Sequence, residues 1–210
     1  MSKKKIPEAV ISRLVVYLRE VTELNKLKIR AISSSELGDR TNLSDVQVRK
    51  DLGYFGQFGV SGAGYPISDL KESLERILGK NTIWNVAIVG VGHLGSALLA
   101  YSGFNKHGLN IVAGFDTDLR KAGKTLEGIL IQPIDALPAM VKEKNISIGI
   151  ITVPSREAQN VADLFVAAGV ECILNFAPAS LNVPEHVKVK DVDLSRELET
   201  LSYHLANRNG

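Results

Sequence analysis

The chain has 210 residues, room for one large domain or two small ones at roughly 100–200 residues each. Hydrophobic residues at 45% and charged residues at 23% describe a chain that buries a core, which excludes a disordered or fibrous protein. The net charge of +2 conceals a bias: residues 1–80 carry 14 Lys and Arg against 10 Asp and Glu, and residues 81–210 carry 11 against 13. The basic part is the better match for a phosphate backbone. No apolar run reaches the ~18 residues of a membrane span, and MSKKKIPEAV lacks the apolar core and cleavage site of a secretory signal. The single cysteine, Cys172, excludes a disulfide framework within the chain and a cysteine-based zinc cluster, and fits a reducing cytoplasm.

Pro7 sits where helices like to begin. Val10, Ile11, Leu14, Val15, Leu18 and Val21 then recur at helical spacing, which predicts a helix to about Asn25. Ser33 and Glu36 form a capping box that opens a short helix from Ser34 to about Arg40. Thr41-Asn42-Leu43 reads as a turn. Ser44 with Gln47 repeats the capping signature and opens a helix to about Phe55. Two capped helices around a short turn suggest a helix-turn-helix. On the second helix Val48, Leu52 and Phe55 share one face and are expected inside. Val46, Arg49, Lys50 and Gly53 lie opposite, with Gln47 and Tyr54 at the margin. Two cations beside a glycine let a helix sit deep in a groove and reach guanine edges or phosphates.

The next stretch, residues 56–66, carries four glycines between aromatics and reads as a tight β-hairpin, the wing of a winged helix. DNA contacts are therefore expected from Ser44, Val46, Gln47, Arg49, Lys50 and Tyr54, and from Ser61, Gly62 and Tyr65 in the wing. Ser68 is expected to cap a last helix through Leu70, Leu74, Ile77 and Leu78, ended by Gly79. The plain alternative is a small helical bundle that only dimerises; the glycine wing directly after Arg49-Lys50 argues against it.

Trp84 to Val89 is an apolar strand that runs into Gly90-Val91-Gly92-His93-Leu94-Gly95. A helix follows, with Leu94, Leu98, Leu99 and Tyr101 on its apolar side. Ile111 to Phe115 is the next strand and ends at Asp116, 21 residues beyond Gly95. The glycines suit a tight turn, close approach of a pyrophosphate and close helix–strand packing. The carboxylate at that distance suits the adenosine ribose hydroxyls. Asp116 and Asp118 would repel a 2′-phosphate, which favours NAD(H) over NADP(H). Ile129 to Ile131, Ile146 to Val153 and Cys172 to Phe176 read as further strands. Helices are expected over 134–144 and over 156–168, the latter capped by Ser155. The alternation implies a Rossmann-like parallel sheet covered on both faces, whose ligands bind outside the strand C-termini. Val153, Pro154, Asn175 and Phe176 stand at such ends and suit a nicotinamide site. Cys172, among apolar neighbours, reads as a small buried hydrophobe.

Val187 to Asp193 reads as a last strand. Leu194, Leu198, Leu201 and Leu205 then place one apolar stripe on a terminal helix. That stripe covers either its own domain or another subunit; dimeric helix-turn-helix proteins favour the second. Too few residues follow the nucleotide unit for the substrate domain of a dehydrogenase. No histidine is well placed for proton transfer, and no metal-ligand spacing occurs.

A winged helix joined to an NAD-type Rossmann domain and a lone terminal helix resembles the bacterial redox-sensing repressors of the Rex family. The resemblance spans essentially the whole chain. It is carried by Ile11-Ser12-Arg13-Leu14 with Tyr17-Leu18-Arg19, Val48-Arg49-Lys50-Asp51-Leu52 with Tyr54-Phe55-Gly56, and Gly62-x-Gly64-Tyr65. The glycine turn at 90–95, Thr152-Val153-Pro154, Ile173 to Pro178 and Val192-Asp193-Leu194 complete it. Where the family's wing carries Arg, this chain has Ser61, which moves the expected affinity toward Arg49, Lys50 and backbone contacts.

The resemblance implies a cytoplasmic homodimer with exchanged C-terminal helices, not an enzyme. It would bind an AT-rich inverted repeat when NADH is scarce and release it when NADH binds. It also names Arg19, Tyr101 and Asp193 as coupling residues, with Asp193 exchanging a partner-subunit Arg19 for Tyr101. The expected organisation is a winged-helix domain over 1–80, a Rossmann domain over 81–192 and a dimerisation helix over 193–210. The alternatives are a compact NAD-dependent oxidoreductase and a regulator that senses another nucleotide such as an acyl-CoA.

Overall fold

Pro7, fixed in an extended conformation, sets the start of α1 (Glu8–Lys26) in the computed structural model, which describes residues 6–56, 58, 64–118 and 120–208. The described chain forms two units, Met1–Thr82 and Ile83–Gly210. In the first, α1 buries Val10, Leu14, Tyr17, Leu18, Val21 and Leu24. Ile11, expected inside, is 43% exposed, because the buried stripe runs through Tyr17 and Leu24 instead. A two-residue strand β1 (Ala31–Ile32) leads into α2 (Ser34–Thr41), whose capping box between Ser33 and Glu36 forms as expected.

Asn42 takes the left-handed conformation that ends α2, and α3 (Asp45–Gly53) follows. Gly38 lets the two helices close together: a Cβ there would sit 2.5 Å from the Leu43 carbonyl oxygen. The helix expected to reach Phe55 stops at Gly53, and Phe55 is only half-buried at the edge of the core. Strand β2 (Tyr65–Pro66) pairs antiparallel with β1, matching Ile32 with Tyr65. The hairpin expected between Gly56 and Pro66 falls largely on residues 57 and 59–63, outside the described residues. Helix α4 (Ile67–Ile77) is not capped by Ser68. Pro66 occupies the cap position, which places Ser68 inside the first turn. Leu14, Leu18, Leu37, Val48, Leu52, Leu70 and Leu74 meet in one core.

The second unit is a seven-stranded sheet. Its strands are β3 (Trp84–Val89), β4 (Leu109–Asp116), β5 (Thr125–Leu126), β6 (Ile129–Pro133), β7 (Ile146–Ile151), β8 (Cys172–Asn175) and β9 (Lys188–Asp191). They lie in the order β5-β6-β4-β3-β7-β8-β9. All neighbours are parallel except β5 and β6, an antiparallel edge hairpin the sequence reading did not contain. Helices α5 (His93–Leu99), α6 (Leu137–Glu143) and α7 (Ser155–Ala168) make the connections. Pro154, not Ser155, holds the cap position of α7.

Strand β3 shows why the sheet has two cores. Val86 and Ile88 enter one cluster with Leu99, Ile131 and Ile150. Ala87 and Val89 enter another with Phe115, Leu137, Val141 and Phe165. The chain steps outward from β3 through β4 to β6 and then returns to β7 on the other side of β3. The strand order therefore reverses between β3 and β7, where open α/β sheets hold ligands. The last helix, α8 (Leu194–Ala206), follows β9 and is capped by Asp193.

Candidate functional site

Helix α3 presents the expected outer face. Val46 is 61% exposed, and Arg49, Lys50 and Gly53 are exposed with it. A Cβ at Gly53 would meet nothing within 4 Å, so the helix backbone is bare there. The Arg49 guanidinium reaches the Ser34 hydroxyl at 2.9 Å and pairs with Asp45 at 2.7 Å. Tyr65 stands near it: burial pushes the phenol pKa up, and the Arg49 charge opposes that shift. Tyr54 caps α3 and is half-buried. Ser44 accepts the Gln47 backbone N–H, but Gln47 does not complete a capping box, because its side chain donates to Asp51 at 2.7 Å. Ser61 and Gly62 lie outside the described residues.

Asp51, which the sequence reading named only as part of the Val48-Arg49-Lys50-Asp51-Leu52 motif, has a structural part of its own. It lies on α3 between Lys50 and Leu52, and it is completely buried. Arg13 donates to both its oxygens, the second at 2.8 Å, and the Tyr17 hydroxyl donates at 2.9 Å. Burial pushes the Asp51 pKa up, and the bonds from Arg13, Tyr17 and Gln47 outweigh burial and hold it low. The signal was present in the spacing. Arg13 and Tyr17 share a face of α1 at i, i+4, and Asp51 falls between the buried Val48 and Leu52.

The second surface is the turn between β3 and α5. Gly90 has φ +95°, and a Cβ there would lie 2.6 Å from the Thr152 carbonyl oxygen. A Cβ on Gly95 would lie 2.1 Å from the Gly90 carbonyl oxygen. Both glycines are fixed by the protein itself. Gly92 differs, since a Cβ there meets nothing within 4 Å, which leaves the turn open on its outer side. Thr152 ties the turn to the end of β7, its hydroxyl donating to the Gly90 carbonyl at 2.8 Å. His93 opens α5 and is exposed, as is Leu94, which does not join the apolar side expected for it. Tyr101 lies beyond the helix, exposed, with its ring edge-on to Phe104 at 5.0 Å.

Asp116 stands at the end of β4, behind this turn. Its Oδ2 accepts the Val91 N–H at 2.9 Å and the Lys121 ammonium at 2.8 Å, and its Oδ1 accepts the Asp118 N–H at 2.9 Å. Burial raises the Asp116 pKa; Lys121 and the two backbone donors outweigh it and keep the carboxylate charged. The turn, the bare Gly92 and the charged carboxylate, together at the C-terminal ends of β3 and β4, offer groups that could hold the diphosphate and ribose of a dinucleotide.

Val153 and Pro154 follow β7, half-buried and exposed respectively. Asn175 ends β8 and is completely buried. Its Nδ2 donates to the carbonyls of Ala177 and Ala179 and to Asp191 Oδ1 at 2.8 Å, and its Oδ1 accepts the Ala177 N–H. Asn175 therefore shapes the loop after β8, which carries the half-buried Phe176. Asp193 accepts the backbone N–H groups of Ser195 and Arg196. Arg19 is exposed on α1, in the other unit.

Cys172 is exposed, not buried, because it is the first residue of β8 and sits at the end of the sheet. Burial of the thiol and Glu171 beside it nonetheless push its pKa up. The α8 stripe does not cover its own domain: Leu194, Leu198, Leu201 and Leu205 are 59–68% exposed. Among the described residues no helix is long and apolar enough to cross a membrane, and no three His, Cys, Asp or Glu side chains gather to hold a metal ion.

Over 206 residues, 98% of each chain, the protein is 48% identical to the Redox-sensing transcriptional repressor Rex of Desulforamulus reducens. The chain belongs to the Rex family. Rex proteins are transcriptional repressors, so the Rossmann-like unit here serves a regulator and not an enzyme. Two family models divide the chain: "Putative DNA-binding protein N-terminus" over residues 5–53 and "CoA binding domain" over residues 81–179. A solved Rex-family structure, RSP in complex with beta-NAD+ and operator DNA, matches with TM-score 0.93 at 36% identity, over 98% of this chain and 94% of that one. RSP in complex with beta-NADH matches with TM-score 0.87 at 35% identity, over 98% and 96%.

Proposed function

We propose that the protein represses transcription by binding an AT-rich inverted-repeat operator as a homodimer, and that NADH at the β3–α5 turn releases it. The observation that carries this reading is the bare turn at Gly92 backed by Asp116, in one chain with a helix whose Arg49 and Lys50 face outward. The solved complexes of RSP with operator DNA and with both nicotinamide nucleotides support it.

In this reading residues 1–80 read DNA, residues 81–192 bind the nucleotide and residues 193–210 join the two subunits, in the cytoplasm. Helix α3 enters the major groove. Arg49 and Lys50 meet guanine edges or phosphates, and Val46 meets thymine methyls. Ser44, Gln47 and Tyr54 fix the register on the backbone, and Ser61, Gly62 and Tyr65 carry the wing. Residues Gly90, Val91, Gly92, His93, Leu94 and Gly95 cradle the diphosphate, and Asp116 takes the adenosine ribose.

Val153, Pro154, Phe176 and Leu194 surround the nicotinamide, on a loop that Asn175 holds in shape. Apolar walls disfavour the charged pyridinium and accept the neutral dihydro ring. Each tenfold preference needs about 1.4 kcal/mol. A ligand moves an equilibrium only by its differential affinity, so this preference is what makes the site a redox sensor. For the coupling, Asp193 exchanges Arg19 of the partner subunit for Tyr101 when NADH binds.

A gel-shift assay on a labelled AT-rich inverted-repeat duplex tests the DNA part. The reading expects binding at least about a thousandfold tighter than to a scrambled duplex at the same salt. Equal affinity for both duplexes would overturn it. Leu194→Asp tests the pocket: a carboxylate there should lower the preference for NADH over NAD⁺, and an unchanged ratio would remove Leu194 from the site.

A further inference from the structure

The close approach that Gly38 permits between α2 and α3 also draws in Asp45, the first residue of α3. A Cβ at Gly38 would lie 3.3 Å from the Asp45 backbone nitrogen. Ser34 opens α2 and faces Arg49, one turn into α3. Arg49 meets both residues. Its Nη1 lies 2.7 Å from Asp45 Oδ2 and donates to the Ser34 hydroxyl at 2.9 Å. The bond from Arg49 holds the Asp45 carboxyl below the usual carboxylate range, so the pair is charged at neutral pH. An exposed i, i+4 pair alone holds a side chain loosely. The Ser34 bond, from a second helix, restrains the guanidinium at a second point.

Both contacts use one nitrogen. Among the described residues Nε and Nη2 of Arg49 make no bond, and 52% of the side chain is exposed. The guanidinium is held at one corner, and its Nε–Nη2 edge stays free. That edge is a two-donor fork, which matches the O6 and N7 acceptors of guanine. Lys50, exposed beside it, is a point charge on a flexible stem and attracts phosphates without direction.

On charge alone Asp45 opposes DNA binding. Its carboxylate repels phosphates and cancels the charge of Arg49, which weakens attraction to every duplex alike. The same carboxylate fixes the arginine, which then loses less freedom when it docks. Weaker attraction to any sequence and a better-aimed contact to one both raise the ratio of specific to non-specific binding.

We propose that Asp45 and Ser34 are positioning residues that set DNA specificity: they aim the Arg49 guanidinium at one guanine of the operator and suppress its attraction for phosphates at large. This rests on the reading of α3 as the helix that enters the major groove.

The test is the affinity of the full-length wild type, Ser34→Ala, Asp45→Ala and Asp39→Ala for the inverted-repeat duplex and for a scrambled duplex, across a salt series, with folding checked by thermal melting. Asp45→Ala should tighten the scrambled duplex about threefold or more and steepen its salt slope by about one, because a freed Arg49 neutralises a further phosphate. The inverted repeat should gain less, so the ratio between the duplexes falls. Ser34→Ala changes no charge. It should leave the scrambled duplex within about twofold and weaken the inverted repeat about three- to tenfold, with discrimination lost at one G·C pair when each is changed in turn. Asp39→Ala removes an exposed α2 carboxylate that no ion pair joins to Arg49 among the described residues, and should leave the ratio unchanged. In an Arg49→Ala background, Asp45→Ala should no longer move the ratio. If Asp45→Ala tightens both duplexes equally, or Asp39→Ala matches its effect, or Ser34→Ala leaves the ratio unchanged, the assignment is wrong. If the wild type prefers no inverted repeat over the scrambled duplex, the reading of α3 itself fails, and this assignment with it.

Discussion

The Arg13 guanidinium clasps the Asp51 carboxylate across the first unit and ties α1 to α3 through two parallel hydrogen bonds. The consequence is geometric. With Asp51 drawn inward, α3 cannot rotate about its axis, and its neighbours Arg49 and Lys50 are held outward. Asp51→Ala would leave Arg13, Tyr17 and Gln47 without their shared acceptor. It should destabilise the protein by about 2–4 kcal/mol in denaturant unfolding, below the roughly 3–5 kcal/mol of a fully buried pair because the Arg13 side chain is partly exposed.

The same carboxylate gives a pH dependence with a definite sign. Its folded pKa lies below the ordinary value of 3.8, because its hydrogen-bond donors outweigh burial. A depressed carboxylate stabilises the fold fully above its unfolded pKa, about pH 4, and loses that contribution as pH falls through the folded value. Melts of the wild type and Asp51→Asn from pH 7 to pH 2 should therefore converge below pH 4. A gap between the two that stays constant over this range would contradict the assignment.

The glycines of the nucleotide turn separate structure from binding. Gly95→Ala puts a Cβ against the Gly90 carbonyl and should cost about 1–3 kcal/mol of stability. Gly92→Ala meets no protein atom, so stability should stay within about 0.5 kcal/mol while NADH affinity falls. Thermal melting paired with NADH titration distinguishes the two.

Arg49→Ala and Lys50→Ala divide the DNA contacts. A residue bonded to a base edge should cost about 1–3 kcal/mol and relax preference at one position. A residue on a phosphate should weaken all sequences alike and reduce the salt slope by about one. Binding measured across a salt series with operator variants reads both.

The exposed leucines of α8 predict self-association. Leu198→Glu with Leu201→Glu should shift the sedimentation coefficient from dimer to monomer. Both positions are more than half exposed in the chain, so the substitutions should cost the fold of the single subunit little.

The strands, the glycine turn and the outer face of α3 were legible in the sequence because each follows from local periodicity or spacing. What escaped depends on which partner a side chain or a cap position finds once the chain has folded, whether distant in sequence or a few residues away. Asp51 on an inner face makes sense only once Arg13 and Tyr17 arrive from α1. Asp116 and Asp118 read as a negative site until Lys121 and Arg120 fold back onto them. The caps expected at Ser68 and Ser155 were displaced by the prolines before them, whose extended backbone takes the cap position. Cys172 looked buried because its neighbours are apolar, but a strand's first residue is not flanked as its middle is.

The central claim is that reduced nicotinamide nucleotide releases DNA. Fluorescence anisotropy of a labelled AT-rich inverted-repeat duplex, at fixed salt and saturated with the protein, tests it when NADH and NAD⁺ are titrated in parallel. The account predicts that NADH dissociates the complex at a concentration at least about a hundredfold below any effect of NAD⁺, a difference of about 2.7 kcal/mol between the two ligands. Equal responses to the two nucleotides, or a DNA complex indifferent to both, would contradict it.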